Sequence, residues 1–168
     1  KAFPTIYRIH YKLTIQPLIS ILIPNKDHVD DLTRCIDSIL DKSSYRNFEI
    51  IVIENNSVDA ETFEYYEYLN TLSNVSVVKW DSGFNYAAIN NFGAGFAKGE
   101  YLLLLNNDTE VINSDWLEEL LMYGQRPDVG AVGAKLYYPD DTVQHAGVVI
   151  GLGAHRAAGH SHYGVSKE

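Results

Sequence analysis

In residues 83–111, GFNYAAINNFGAGFAKGEYLLLLNNDTEV, an alanine-rich helical stretch runs through glycines into an unbroken apolar segment and stops in a cluster of amides and carboxylates. Asn85 to Lys98 carries the helical pattern, weakened by Gly93 and Gly95. The glycines at 93, 95 and 99 are too widely spaced for a dinucleotide-binding loop and lie inside a helical segment. They are read as close packing and, at Gly99, as a helix C-cap. Tyr101 to Asn106, YLLLLN, suits a strand buried on both faces of a parallel sheet.

The same unit repeats outward in both directions. Apolar runs occur at Pro17–Pro24 (PLISILIP), Phe48–Glu54 (FEIIVIE), Val75–Trp80 (VSVVKW) and, more weakly, Val129–Tyr138 (VGAVGAKLYY). Helical patterns separate them. Asp30–Leu40 places Leu32, Cys35, Ile36, Ile39 and Leu40 on one stripe, which puts Cys35 in the core. Glu61–Leu72 sets Phe63, Tyr66, Leu69 and Leu72 along another, and Asp115–Tyr123 follows the cap candidate Ser114. This alternation predicts a three-layer α/β/α sandwich with a mostly parallel sheet and right-handed crossovers. Residues 1–16 read as an N-terminal arm or edge strand, since Tyr7, Ile9, Tyr11, Leu13 and Ile15 alternate with polar residues. Residues 17–153 read as one domain. Residues 154–168, rich in glycine and histidine, read as loop or tail.

Composition narrows the function. The 168 residues carry 22 acidic and 13 basic side chains, a formal net charge of −9, which argues against a nucleic-acid binder. One cysteine excludes a disulfide framework and a multi-cysteine zinc site. No apolar run approaches the roughly 20 residues of a membrane span.

In an open parallel sheet, ligands bind beyond the carboxyl ends of the strands, where strand order reverses. Three of the apolar runs end in oxygen-bearing side chains: Asn25-Lys26-Asp27, Glu54-Asn55-Asn56-Ser57, and Asn106-Asn107-Asp108-Thr109-Glu110. Such residues also make turns, but their recurrence at three strand ends favours a binding cleft. The first strand runs into Pro24-Asn25-Lys26, and no phosphate-cradling glycine loop is present. Asn106 and Asp108, two apart in an extended segment, would present oxygens to a hard cation such as Mg²⁺ or Mn²⁺. An Asx turn closing the strand fits the same residues equally well.

The segments PLISILIPNKD, FEIIVIENNS, GFNYAAINNFGAGFAKGEYLLLLNNDTEV and AVGAKLYYPDDTVQHAGVVIG together resemble glycosyltransferase family 2, in its bacterial rhamnosyltransferase-like branch. The third is the most specific, through Asn91, Gly93, Ala97, Gly99 and Glu100 followed by the strand and the aspartate-x-aspartate equivalent. The resemblance implies the Rossmann-like GT-A nucleotide-sugar fold. It implies inverting transfer of a sugar from a nucleoside diphosphate donor to a saccharide or lipid-linked acceptor, assisted by a divalent cation (Mn²⁺ or Mg²⁺). By the same resemblance, Pro24 and Asn25 line the nucleotide pocket, Glu54 and Asn55 take the acidic pair that meets base and ribose, and Asn106 and Asp108 take the metal motif around Asn107. Asn91 would sit near the diphosphate, and His145 near the donor sugar or acceptor. Two departures stand out: Asn55 and Asn106 each replace a more usual aspartate. The resemblance also implies a C-terminally truncated catalytic domain that ends before its general base and turns over little alone. Cytoplasmic placement follows from the family's donors.

Two rival functions share this architecture. One is a non-catalytic module that binds a nucleotide-sugar or a partner. The other is a phospho-acceptor signalling domain, which wants paired acids after the first strand. Trp80, Phe84 and Tyr86 could stack on a base, although Trp80 is better read as sealing a helix on the sheet. His155, His160 and His162 fit no standard zinc spacing and read as loop histidines.

Overall fold

A computed structural model describes residues 7–151 and 158–166 of the chain. Two compact units are present, Leu13–Glu118 and the combination of Lys1–Lys12 with Glu119–Glu168.

The first unit is built on β1 (Ile19–Asn25), α1 (Val29–Lys42), β2 (Phe48–Glu54), α2 (Ala60–Leu69), β3 (Val75–Lys79), α3 (Tyr86–Ala94) and β4 (Tyr101–Leu104). The four strands are parallel in the order β3-β2-β1-β4, so strand order reverses at β1. Ile21, Leu22, Ile23, Ile50, Val52 and Ile53 are fully buried, as expected of central strands covered on both faces. Leu22, Ile51 and Ile53 meet Ile89 of α3, with Trp80, Phe92, Ala94 and Ala97 packed around them. Ile21, Ile23, Ile50 and Val52 point the other way by strand alternation, and α1 and α2, in contact with each other, supply buried Leu32, Cys35, Ile36, Ile39, Tyr66 and Leu69. The architecture is therefore the expected three-layer α/β sandwich.

Several local expectations change. The YLLLLN run is not buried on both faces: Leu102 and Leu104 are about half exposed, at 51% and 50%. Among the described residues β4 is a sheet edge, paired only with β1. The α3 helix stops at Ala94, and Gly95 is its C-cap. Gly99 does something else. A Cβ there would lie 2.6 Å from the Ser20 backbone nitrogen and 2.8 Å from the Leu18 carbonyl, so glycine lets the start of β4 press against the start of β1. Gly93 is packed as expected, since a Cβ would collide with Ile53, 2.9 Å from its Cγ1. Phe63 faces solvent, and Thr62 joins Tyr66 and Leu69 on the buried side of α2.

The second unit contains β5 (Leu136–Tyr137), β6 (Val143–His145), β7 (Val148–Ile150) and β8 (Ala158–His160), while α4 (Trp116–Gly124) spans the division at Glu118. The run expected as a fifth strand supplies only Leu136 and Tyr137, which pair antiparallel with β6. The described part of the stretch read as an arm or edge strand, residues 7–16, contains no strand. In that stretch Tyr11 stacks edge-on against Tyr123 and lies under Arg126, and Arg8 is ion-paired to Glu119. Within residues 154–168, β8 pairs antiparallel with β7. His155 lies outside the described residues.

Candidate functional site

Three strand ends converge on one buried polar network. The β1–β2 register sets Asn25 opposite Glu54, and Asn55 continues the ladder by donating its N–H to the Asn25 carbonyl at 2.8 Å. Pro24 sits one residue earlier in a central strand. It is tolerated because the β4 ladder has already ended at Leu104, opposite Leu22, so no partner on that side needs its missing N–H.

Asn25 is 3% exposed and uses its amide on both sides. Its Nδ2 donates to the Tyr66 hydroxyl at 2.7 Å and to the Asp27 carbonyl at 2.9 Å. Its Oδ1 accepts from Asn107 Nδ2 at 2.6 Å. The Asp27 carbonyl can only accept, which fixes the amide's orientation. One side chain thus joins the end of β1 to α2 and to the loop after β4. Tyr66 was read from the sequence as a core residue. It is buried, and burial raises its phenol above the ordinary tyrosine value, so the hydroxyl stays neutral and can bond both Asn25 and Ser57 (Oγ at 3.3 Å).

A second layer holds the loops. Asp27 Oδ1 accepts from the backbone N–H groups of Val58 and Asp59, at 2.7 and 3.0 Å, and these bonds lower its carboxyl below the usual range. The Asp27 N–H donates to Ser57 Oγ at 3.0 Å. Asp27, His28 and Asn56 all have positive φ, at 51°, 52° and 58°. Non-glycine residues rarely adopt that conformation, and it clusters at functional sites where surrounding bonds enforce it. Here the enforcing bonds are those of Asp27 and Ser57.

Glu54 is 3% exposed. Its Oε1 accepts from the Ser57 N–H at 2.6 Å, but Oε2 is buried with no hydrogen-bond partner among the described residues. A buried carboxylate oxygen without a donor is costly. Asn55 donates Nδ2 to the Ser82 carbonyl at 3.0 Å, and Asn56 does the same at 2.8 Å. This explains the first departure from aspartate. A carboxylate at 55 has no hydrogen to give Ser82 and would face a carbonyl oxygen.

Past β4 the side chains alternate. Asn106 and Asp108 are exposed, while Asn107 turns inward to Asn25. The turn is closed by Thr109 Oγ1 donating to the Asn106 carbonyl at 2.9 Å, not by an Asx side chain. Asn106 and Asp108 can offer one amide and one carboxylate oxygen to a hard cation that takes its other ligands from phosphate and water. Among the described residues, no three His, Cys, Asp or Glu side chains form a ready-made cation cage. Cys35 lies beneath this loop, its Sγ 3.7 Å from the Asn106 carbonyl and from Thr109 Oγ1. Burial pushes its thiol up to about 11, as suits a core residue and not a nucleophile.

The other expected residues are placed differently. Asn91 is exposed on α3 and, among the described residues, takes no part in this network, whereas its neighbour Asn90 is buried with an unpaired Oδ1. Trp80 packs on Phe92 with ring centroids 5.2 Å apart, while Phe84 is exposed. His145 belongs to the second unit, where its Nδ1 is 3.2 Å from that of His160. Asp27, Ser57 and Tyr66 complete the site; from the sequence the first two appear only as members of the strand-end clusters, without a role, and Tyr66 only on a helix stripe. Positive-φ loops and long-range bonds have no local pattern.

In an open parallel α/β unit, polar side chains gathered at a strand-order reversal mark the place where this class of fold binds its ligands. Glycosyl transferase family 2 matches residues 20–155, and the chain belongs to this family. It is 48% identical over 149 residues to the O-antigen biosynthesis protein RfbC of Myxococcus xanthus, covering 89% of this chain and 12% of that protein. It is 47% identical over 160 residues to the protein y4gI of Sinorhizobium fredii, covering 95% of this chain and 17% of that one. The chain thus spans less than a fifth of the length of either relative. Among solved structures, the mannosyltransferase PcManGT from Pyrobaculum calidifontis, in complex with GDP-Man and Mn²⁺, shares the fold with a TM-score of 0.66 at 20% identity, over 76% of this chain and 38% of that one. TarS residues 1–349 from S. aureus in complex with UDP give 0.52 at 22%, over 64% and 32%.

Proposed function

We propose that the chain forms the donor side of a glycosyltransferase, binding a nucleoside diphosphate-sugar across the ends of β1, β2 and β4. The carrying observation is the buried Glu54 carboxylate, one oxygen held by Ser57 N–H and the other without a donor among the described residues. A ribose hydroxyl or a base N–H would supply that donor. Asn25 and Pro24 form the adjoining wall, and Asn55 keeps the loop at Ser82 in place beside it. Asn106 and Asp108 would hold a divalent cation (Mn²⁺ or Mg²⁺) against the diphosphate. Such a cation stabilises the negative charge that grows on a departing nucleoside diphosphate. Asn107 anchors that loop through Asn25, so the cation-binding and nucleoside ends of the site share one hydrogen-bonded link. Asn91 would contribute near the diphosphate from α3.

On this reading the transfer is a direct displacement with inversion, to a saccharide or lipid-linked acceptor in the cytoplasm. The relation to an O-antigen biosynthesis protein supports polysaccharide assembly as the setting. No residue described here is assigned as the acceptor's general base, and His145 is not promoted to that role. The test is binding of a nucleoside diphosphate to Glu54→Gln and Glu54→Ala chains by calorimetry. Both variants should weaken it at least tenfold. Unchanged affinity in both would remove Glu54 from the site.

A further inference from the structure

The histidines of the second unit hold a feature outside the donor-site residues. His145 ends β6 and His160 ends β8. The β7–β8 register sets Val148 against His160. Just beyond, Ser161 bonds back to the other side of the hairpin, its N–H to the Gly147 carbonyl at 3.0 Å and its Oγ to the Ala146 carbonyl at 2.9 Å. These backbone ties fix residue 160 beside residue 145. The two imidazoles stand edge to face, centroids 5.3 Å apart and planes at 80°, with Nδ1 facing Nδ1 at 3.2 Å. His160 is exposed and His145 half-buried, so the pair is reachable from solvent. The Tyr163 ring flanks His160 at 6.4 Å, and its hydroxyl is 3.2 Å from that of Tyr138.

We propose that His145 and His160 form a two-histidine site for a borderline transition cation of the Zn²⁺ class. Two nitrogens at Zn–N distances of about 2.0–2.1 Å and a tetrahedral angle lie roughly 3.3 Å apart. The observed 3.2 Å is close to that edge, so the two nitrogens already stand at the separation a shared cation requires. Imidazole nitrogen suits zinc, copper and nickel, whereas the oxygens of Asn106 and Asp108 suit magnesium and manganese. The remaining positions on the cation are open to water or an incoming ligand. The spacing in sequence, 145 and 160 with no cysteine, concealed the pair because it is made by two hairpins and not by a local motif. A single neutral N–H···N hydrogen bond between the rings is the alternative.

The test is Zn²⁺ titrated into the 168-residue chain in nucleotide-free buffer, by calorimetry and by histidine side-chain ¹⁵N NMR. One saturating event per chain is expected, with the Nδ1 resonances of two histidines shifting in the unaltered protein. His145→Gln and His160→Gln should each weaken binding at least about tenfold, since even outer-shell changes cost 10–100-fold. Asp108→Ala and His28→Gln should leave it in place. Zinc binding that survives in the double variant His145→Gln/His160→Gln, or unshifted Nδ1 resonances at saturating zinc, overturns the proposal and leaves the hydrogen bond.

Discussion

Replacing Asn25 with alanine should destabilise the first unit by an amount its bonds allow to be estimated. The amide makes three hydrogen bonds, to Tyr66, Asp27 and Asn107, at 2.7, 2.9 and 2.6 Å. Each such bond contributes about 1 kcal/mol net, and a buried group left without its partner adds to the loss. The partners are not equal. Asn107 is half-buried and can turn to water, and Tyr66 keeps Ser57 Oγ at 3.3 Å. The Asp27 carbonyl carries the penalty least relieved by other protein groups. The expected cost is about 2–4 kcal/mol. Tyr66→Phe removes only one of the three bonds and should cost about 1–1.5 kcal/mol. Because both changes delete the same Asn25–Tyr66 bond, the double variant should be less damaged than the sum by about 0.5–1.5 kcal/mol. Urea unfolding followed by tryptophan fluorescence reads these values. With a slope of about 2 kcal/mol/M, Asn25→Ala should lower the midpoint by roughly 1–2 M. A loss below about 0.5 kcal/mol, or strict additivity with Tyr66→Phe, would refute the idea that Asn25 links three elements.

Two further outcomes follow from packing and burial. Gly99→Ala should cost about 2–3 kcal/mol, the upper part of the overpacking range, because the added methyl meets the Ser20 backbone nitrogen and the Leu18 carbonyl as well as the Ser20 hydroxyl, and turning the hydroxyl away relieves only the last; thermal unfolding measures it. Cys35 in the fold titrates at about 11 against an ordinary 9.0, so the folded state disfavours the thiolate. Its contribution is complete below pH 9 and is lost as pH rises from 9 to 11, by at most about 2–3 kcal/mol at 1.36 kcal/mol per unit. Stability measured across that window should therefore fall more steeply in the parent chain than in Cys35→Ala, and equal slopes would contradict the buried-thiol assignment.

How much of this was legible beforehand depended on range. The β1 and β2 runs announced themselves because both faces of each strand are covered, leaving Ser20 and Glu49, which bond each other at 2.6 Å, as the polar positions within them. α1 did so through the stripe from Leu32 to Ile39. The β4 run misled, since Leu102 and Leu104 are apolar yet half exposed on an edge strand. Residues 129–135 misled for a related reason: a weak apolar run carries no information about whether a neighbour exists to pair with it. Asn25, Glu54, Asn55 and Asn107 were found because strand ends are where parallel sheets place ligands. Asp27 and Ser57 lie in the same strand-end clusters, but their roles, and Tyr66 as a site residue, were not legible, because what assigns them is contact across about thirty to forty residues, as in the Asn25–Tyr66 bond with its separation of 41. The Asn55 amide also acquired a reason only from its partner, the Ser82 carbonyl.

The central claim is that the ends of β1, β2 and β4 hold a nucleoside diphosphate with a divalent cation beside Asp108. Calorimetric titration of the chain with UDP and with GDP, each with and without Mn²⁺, tests it most directly. At least one nucleotide should bind, more tightly with Mn²⁺ than without, and Asp108→Ala should abolish the Mn²⁺ dependence while leaving the residual metal-free binding. Binding that ignores Mn²⁺, or a Mn²⁺ effect that survives in Asp108→Ala, would contradict the account.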